Sequence, residues 1–238
     1  MGRILKAYET RFRSMLKQAG ARRPEHGAEW LVARARRLSA ANSLPLYATL
    51  TQVYQRLQRQ VLSPKRVSAT PWLRANGLQF WCDSGLGGLC RWLRAAGYDA
   101  LWDPCIEDAE LVRRARSGER ILLTTDSLLM ERRLVRDRVV PALWLPPTLK
   151  IPEQMRLVID EFHLTLRESR CMACGGQLRR VPRESVRERI PPKTWRWLDE
   201  YFICARCDQL FWRGTHWQRI RNEMQGLFPQ AAAGGFES

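Results

Sequence analysis

Apolar positions recur with two different periods along this chain, and the change between the periods divides it into regions. In residues 1–76 they recur every three or four residues, as on one face of a helix. This pattern predicts a first helix that ends near Gly20, a second over residues 25–38 and a third over 46–62. Residues 63–76 include two prolines and several polar residues, and we predict a linker there.

From residue 77 onwards, short apolar runs alternate with helical patterns. Strands are predicted over residues 78–82, 100–102, 120–124 and 139–145, and helices over 86–96, 107–116, 127–134 and 152–164. Strands that alternate with helices in this way form a parallel sheet with right-handed crossovers. Pro141 favours an edge position for the last strand, because proline cannot donate a hydrogen bond to a neighbouring strand. The sequence therefore predicts an α/β fold with helices flanking a parallel sheet.

The chain is strongly basic, with a net charge of +16. Residues 1–76 carry most of this excess, with 15 Lys and Arg against three acidic residues. Such a charge indicates a polyanionic partner, most simply a nucleic acid, and an anionic membrane surface is the alternative. The sequence has neither a run of 18 apolar residues nor an apolar signal-peptide core at its N-terminus. We therefore expect a cytoplasmic protein without a membrane-spanning segment. A helix at a membrane surface would need a more segregated apolar face, so we expect no membrane partner.

Acidic residues follow two predicted strands and begin the helix between them. They are Asp83, Asp126, Glu107, Asp108 and Glu110. The C-terminal ends of parallel strands lie along one edge of a sheet, where ligands usually bind. Carboxylates gathered there without cationic partners typically hold a hard divalent cation such as Mg²⁺ or Mn²⁺. Aspartate is also a favoured helix N-cap, so the spacing alone leaves a metal site and simple capping both open.

Four of the seven cysteines form two CxxC pairs separated by 29 residues, namely Cys171, Cys174, Cys204 and Cys207. Four thiolates at this spacing predict one tetrahedral structural zinc, in preference to reduced free cysteines. The other three cysteines lack the spacing, and we expect Cys82, Cys90 and Cys105 to be buried thiols. His216 follows the second pair; we expect a packed histidine, with a phosphate or base contact or proton transfer as the alternative.

Residues 78–224 resemble the RNase domain family named after the C-terminal part of the Mut-seven exonuclease, which is similar to the PIN nuclease fold with a zinc ribbon attached. The motifs that carry the resemblance are Asp83 with the helix 86–94, Gly97-Tyr98-Asp99, the segment 108–111, the segment 120–126, the two CxxC pairs and the segment 211–217. The resemblance implies a PIN-like nuclease domain (77–167) and a zinc ribbon (168–228). The basic helical N-terminal region (1–76) lies outside the resemblance, and we expect a flexible tail over 229–238.

The resemblance also implies an activity, that of a metal-dependent ribonuclease which hydrolyses RNA phosphodiester bonds. The family's catalytic acidic positions correspond to Asp83, Asp108 and Asp126, which would bind Mg²⁺ or Mn²⁺ with Glu110 as an additional ligand. Its substrate would be RNA, including structured RNA such as tRNA or rRNA, held partly by the basic N-terminal helices. The alternative is a non-catalytic RNA- or ribosome-binding protein that keeps the PIN-like fold, and a DNA-binding regulator is a third class.

Overall fold

A computed structural model of the chain describes residues 2–61 and 77–228. The predicted linker over 63–76 and the predicted flexible tail over 229–238 lie outside the described residues.

The helices are α1 (Gly2–Gln18), α2 (Pro24–Asn42), α3 (Leu46–Val61), α4 (Gly87–Ala95), α5 (Asp108–Ser117), α6 (Arg133–Arg136), α7 (Ile151–Phe162), α8 (Pro192–Trp197) and α9 (Thr215–Leu227). The strands are β1 (Gln79–Cys82), β2 (Asp99–Trp102), β3 (Ile121–Thr124), β4 (Ala142–Trp144), β5 (Leu178–Val181), β6 (Tyr201–Cys204) and β7 (Leu210–Trp212). Short 3₁₀ helices cover Ser84–Leu86, Leu129–Glu131 and Arg183–Arg189.

The first four strands form a sheet in the order β2-β1-β3-β4, and all three neighbouring pairs are parallel. The predicted α/β fold with a parallel sheet is therefore confirmed. Strand β4 lies at an edge, as Pro141 just before it indicated. In the register, Cys82 stands opposite Trp102 on one side and Leu123 on the other, so these three strands end side by side.

Both faces of this sheet are buried. Successive side chains of a strand point to opposite faces, so each strand contributes to an apolar cluster on either side. Phe80 and Leu123 belong to the apolar cluster that includes α4 and α7, together with Met224 of α9. Trp81 and Leu122 belong to a second cluster on the other face, which includes α5 and the three N-terminal helices. Helices therefore cover the sheet on both sides.

The N-terminal helices share a continuous aromatic core with the sheet. The ring of Trp144 in β4 lies 5.2 Å from the ring of Tyr8 in α1 and 5.6 Å from that of Tyr54 in α3. The Tyr8 hydroxyl lies 2.6 Å from the Thr51 hydroxyl, so this buried polar group has a partner. The region predicted from its charge to contact nucleic acid thus also completes the core.

The predicted helix over 127–134 is wrong. After β3 the chain makes a turn, then the 3₁₀ helix Leu129–Glu131, and only then the four-residue helix α6. The Asp126 carboxylate accepts a hydrogen bond from the Leu128 amide, which stabilises the turn. Arg132 has an extended backbone, with ψ at 136°, and this interrupts helical propagation. The predicted strand over 139–145 is likewise shorter than expected and begins after Pro141.

Strands β5, β6 and β7 form a separate antiparallel sheet in the C-terminal region. Its own core is small and consists of Val186, Ile190 and Tyr201, with partly buried neighbours. None of the helices within residues 2–61 and 77–228 combines the length and apolar content that crossing a bilayer requires.

The segment 167–170 attaches this second sheet to the first by capping α4. The carbonyl groups of the last helical residues have no partner within a helix. Here the amides of Arg167 and Arg170 and the hydroxyl of Ser169 donate to the carbonyls at 96, 94 and 95, respectively. Gly97 has a φ of +94°, and a Cβ atom there would lie 2.6 Å from the Glu168 carbonyl oxygen. Only glycine therefore fits this junction.

We expect Phe12→Ala in α1 to lower the free energy of unfolding by about 3–5 kcal/mol, because it leaves a cavity in the core shared with the sheet. Hydrogen exchange should become faster at the amides of β3 and β4 as well as in α1. The exposed Lys6→Ala in the same helix is the control and should change stability by less than about 0.5 kcal/mol. Unchanged protection of β3 and β4 in Phe12→Ala would show that the helices fold separately.

Candidate functional site

The four cysteines of the CxxC pairs come together as predicted. Their sulfur atoms all lie within 4.8 Å of one another, with Cys171 and Cys207 3.6 Å apart and Cys174 and Cys204 3.4 Å apart. Backbone amides donate to two of the sulfurs: Gly176 to Cys174 at 3.4 Å and Arg206 to Cys204 at 3.3 Å. Four soft sulfur ligands in a closed cluster fit a structural zinc ion.

The thiols of this cluster differ in their tendency to ionise without a metal. Burial raises the pKa of Cys171 to about 12. Burial also acts on Cys204, but hydrogen bonds from the amides of Cys207 and Arg206 and from the Cys174 side chain outweigh it and lower the pKa of Cys204 to about 6. Zinc needs thiolates, so binding must displace the Cys171 proton, and the affinity for zinc should rise with pH.

Arg94 connects the cysteine cluster to the parallel sheet. Arg94 is only 5% exposed, and its guanidinium donates to the carbonyl of Ala100 in β2 at 2.8 Å. It also donates to the carbonyls of Met172 and Ala173, inside the first CxxC turn, at 3.0 and 2.8 Å. A zinc ion with four thiolates carries a net negative charge, which would compensate this buried cation.

Asp83 is the most deeply placed of the predicted catalytic acids. It follows β1 directly and is 6% exposed. One carboxylate oxygen, Oδ1, accepts the Gly85 amide at 3.1 Å and so caps the first 3₁₀ helix. The other, Oδ2, accepts the Thr124 hydroxyl at 2.8 Å and both the amide and the hydroxyl of Thr125 at 2.6 and 3.1 Å. Asp83 therefore links the C-terminal ends of β1 and β3.

Asp126 lies beside this network. Its amide donates at 2.9 Å to the Thr124 hydroxyl, which in turn donates to Asp83. Its carboxylate oxygen Oδ1 accepts a hydrogen bond from the Leu128 amide at 2.8 Å, which forms the turn described above. Asp83 thus caps a 3₁₀ helix and Asp126 stabilises a turn, and both also lie at the edge where parallel strands end.

The acids of α5 are engaged with arginines. Asp108, the first residue of α5, lies 3.5 Å from the Arg132 guanidinium. Hydrogen bonds from Arg113 and then Arg114 hold the pKa of the Glu110 carboxyl at about 2. Glu107 precedes the helix as an exposed N-cap without a side-chain capping bond. A group of three or more acidic, cysteine or histidine side chains could share one metal ion. Within residues 2–61 and 77–228, the four cysteines are the only such group.

Asp103 is an acidic residue that the sequence analysis did not single out. It follows β2 as Asp83 follows β1, and the two strands are parallel neighbours in register from Gln79 to Cys82. Its Oδ1 accepts the Cys105 amide at 3.0 Å, a turn of the same kind as that at Asp126. The rule that strand-end aspartates line one edge would have found it.

The remaining candidates have mixed outcomes. Cys82 and Cys90 are buried as predicted, and their thiols contact each other, but Cys105 is exposed, so the prediction of a third buried thiol is wrong. Cys105 lies in an exposed turn after β2. His216 belongs to α9, but its side chain lies outside the part of the structure that is described.

The family model described as the Mut7-C RNAse domain matches residues 78–224 of this chain, well over half of its length. The match begins at β1 and ends within α9, so it includes the acidic sheet edge and the four cysteines. A search of curated proteins and a search of solved structures each find no match.

We expect the protein to bind one zinc ion at the four cysteines, measurable by elemental analysis after purification without chelators. Cys204→Ser should abolish this zinc and make the amides of β5–β7 exchange faster, while those of β1–β4 stay protected. Cys105→Ser is the matched control, because Cys105 is exposed and outside the cluster, and it should keep the zinc. A zinc-free wild-type protein would contradict the assignment.

We expect Arg94→Met to lower the free energy of unfolding by at least about 3 kcal/mol, because three carbonyl groups lose their donor. Zinc should also pass more readily to a competing chelator, since the first CxxC turn loses its connection to β2. Arg94→Lys should be intermediate, because lysine keeps the charge without the planar fork of donors. An Arg94→Met variant with unaltered stability and zinc retention would rule out this coupling.

Proposed function

This chain belongs to the Mut7-C RNase domain family, and on that premise we propose that it is a metal-dependent ribonuclease acting in the cytoplasm. The reaction would be hydrolysis of RNA phosphodiester bonds at the C-terminal edge of the parallel sheet. The observation that carries the proposal is the placement of Asp83 and Asp126 at adjoining strand ends within the matched region.

The chemistry of this edge fits Mg²⁺ or Mn²⁺, because its carboxylates supply the hard oxygen ligands these ions prefer. Magnesium usually keeps several waters and binds through one or two carboxylates together with substrate phosphates. Asp83 and Asp126 would provide such a pair, and Asp108 would join them if it exchanged its contact with Arg132. Glu110 is the weakest of the predicted ligands, because two arginines hold it against its own helix.

Such an ion would activate a water molecule and stabilise negative charge on the phosphate during cleavage. The chain's own residues provide the fixed geometry. Thr124 and Thr125 donate three hydrogen bonds to the Asp83 carboxylate, which fix its orientation. The side chain of Arg132, which pairs with Asp108, is 45% exposed and would be able to contact a phosphate at the same edge.

Helix α1 positions the loop that carries Asp126. The buried Arg11 guanidinium pairs with Glu131 at 2.9 Å, and the Ser14 hydroxyl donates to the same carboxylate oxygen at 2.8 Å. Glu131 ends the 3₁₀ helix that follows Asp126. The N-terminal helices would therefore contribute to the active site through the loop, in addition to holding RNA.

RNA would also contact the outer surface of α2 and α3. Arg36, Arg37 and Arg56 are exposed there, and the guanidinium of Arg34 lies 5.4 Å from the ring centre of the half-exposed Trp30. Positive charge beside an exposed aromatic ring favours nucleic acid, because it attracts phosphates while the ring stacks on a base.

The second candidate is a non-catalytic RNA-binding protein that keeps the fold. It is favoured by the hydrogen bonds that already occupy both oxygens of Asp83, and by the absence, within the described residues, of three carboxylates close enough to share an ion. The two candidates differ in a single measurement, which is cleavage of RNA in the presence of added Mg²⁺ or Mn²⁺.

We expect the wild type to cleave RNA only with added Mg²⁺ or Mn²⁺, and Asp126→Asn to cleave at least about a hundredfold more slowly. Its free energy of unfolding should change by less than about 0.5 kcal/mol, because asparagine caps a turn nearly as well as aspartate. The metal should be titrated into the protein rather than removed by a chelator, which would also strip zinc from the cysteines.

Asp137→Asn is the matched control, because it removes the same charge from an exposed aspartate before β4, on the side where the strands begin. This variant should cleave like the wild type. Undiminished cleavage by Asp126→Asn would remove this residue from the active site, and a wild type that binds RNA without cutting it would favour the second candidate.

A further inference from the structure

A cavity of about 380 Å³ lies between the antiparallel sheet, helix α9 and the segment 166–170. It is remote in sequence from the acidic edge and is lined by residues of the cysteine-rich region together with Ala95 at the end of α4. Pockets of about 300–1,000 Å³ hold small molecules of up to drug size, which includes a single nucleotide.

The wall of the cavity on the sheet side is aromatic. Phe202 in β6 and Phe211 in β7 are directly paired in the antiparallel register, so their side chains point to the same face. Both line the cavity, as does Trp217 of α9. Tyr201, by contrast, points to the opposite face, into the small core with Val186. The partly buried phenylalanines are therefore not part of the core that this sheet needs for its own stability.

Arginines surround these rings. The Arg213 guanidinium lies 5.1 Å from the ring centres of both Phe202 and Trp217, and that of Arg221 lies 5.0 Å from the ring centre of Trp217. Two further arginines and a single glutamate, Glu168, also line the cavity. Arg213 is paired with Glu200 at 2.9 Å, whereas the exposed Arg221 has no carboxylate partner among the described residues. The lining therefore has a positive charge to offer an anion.

We propose that this cavity binds one unpaired base of an RNA strand, together with the phosphate next to it. Aromatic rings stack on any base, and arginine guanidinium groups both stack on bases and pair with phosphates. The cavity has room for one base but not for a duplex, so single-stranded segments are selected. The inference rests on the proposed function, because it takes RNA as the ligand. It adds a second site of RNA contact, distinct from the acidic edge.

The test is the affinity of the full-length protein for two labelled probes, measured by fluorescence anisotropy without added Mg²⁺ or Mn²⁺. One probe is a single-stranded oligouridylate, and the other is a ribose-phosphate strand of the same length without bases. Trp217→Ala should weaken binding of the oligouridylate by about tenfold or more, as expected for loss of one stacked base. It should leave binding of the base-free strand nearly unchanged, and Trp217→Phe should restore most of the affinity.

Trp197→Ala is the matched control, because Trp197 is 83% exposed in the same region and does not line the cavity. It should bind both probes like the wild type. Equal losses for both probes in Trp217→Ala, or no loss for either, would overturn the proposal. Zinc content and the unfolding midpoint of each variant show whether the cysteine-rich region has kept its fold.

A second measurement needs no variant. Photocrosslinking of the wild-type protein to an oligouridylate that contains 4-thiouridine should attach the RNA within the segment 211–217. Crosslinks confined to the N-terminal helices would also overturn the proposal. Neither experiment requires cleavage, so the two proposals can fail separately. If the protein binds RNA here but does not cut it, only the ribonuclease proposal is refuted. If the protein cuts RNA and Trp217→Ala binds RNA normally, only the proposal of this binding site is refuted.

Discussion

The last turn of α4 is the constraint on which the placement of the two sheets depends. Its terminal carbonyl groups need donors from outside the helix, and the segment 167–170 supplies them. From the same turn, Arg94 reaches the first CxxC turn. Helix α4 begins just after the Asp83 loop and is about 13 Å long, so one short element connects the acidic edge to the cysteine cluster.

The two ends of this arrangement suit different ligands. At one end, Asp83 and its threonine partners offer oxygen atoms to a hard cation. At the other, four sulfur atoms offer a closed site to zinc, and next to it lies a cavity of aromatic rings and arginines. In the proposed function, RNA would contact the cavity and the basic helices and be cleaved at the acidic edge.

Local sequence was informative where the chemistry of a few residues decides the structure. The strand-helix alternation predicted the parallel sheet, Pro141 predicted an edge strand, and CxxC spacing predicted the sulfur cluster. The prediction of a helix over 127–134 was wrong. The side chain of Asp126 stabilises a turn instead, and the extended backbone of Arg132 interrupts the helix. The prediction that Cys105 is buried was wrong because this residue lies in an exposed turn after β2.

The sequence by itself determined the N-terminal helices, the four strands of the parallel sheet, the positive charge and the four cysteines of the sulfur cluster, because these follow from periodicity, composition and spacing. Only the tertiary structure decided that the basic N-terminal helices bury Tyr8 and Tyr54 against Trp144, since a helical face does not reveal what it packs against. It alone also brought Phe202, Phe211 and Trp217 around one cavity. That grouping joins residues from two strands and a helix, and strand pairing and helix docking are long-range interactions that no local pattern encodes.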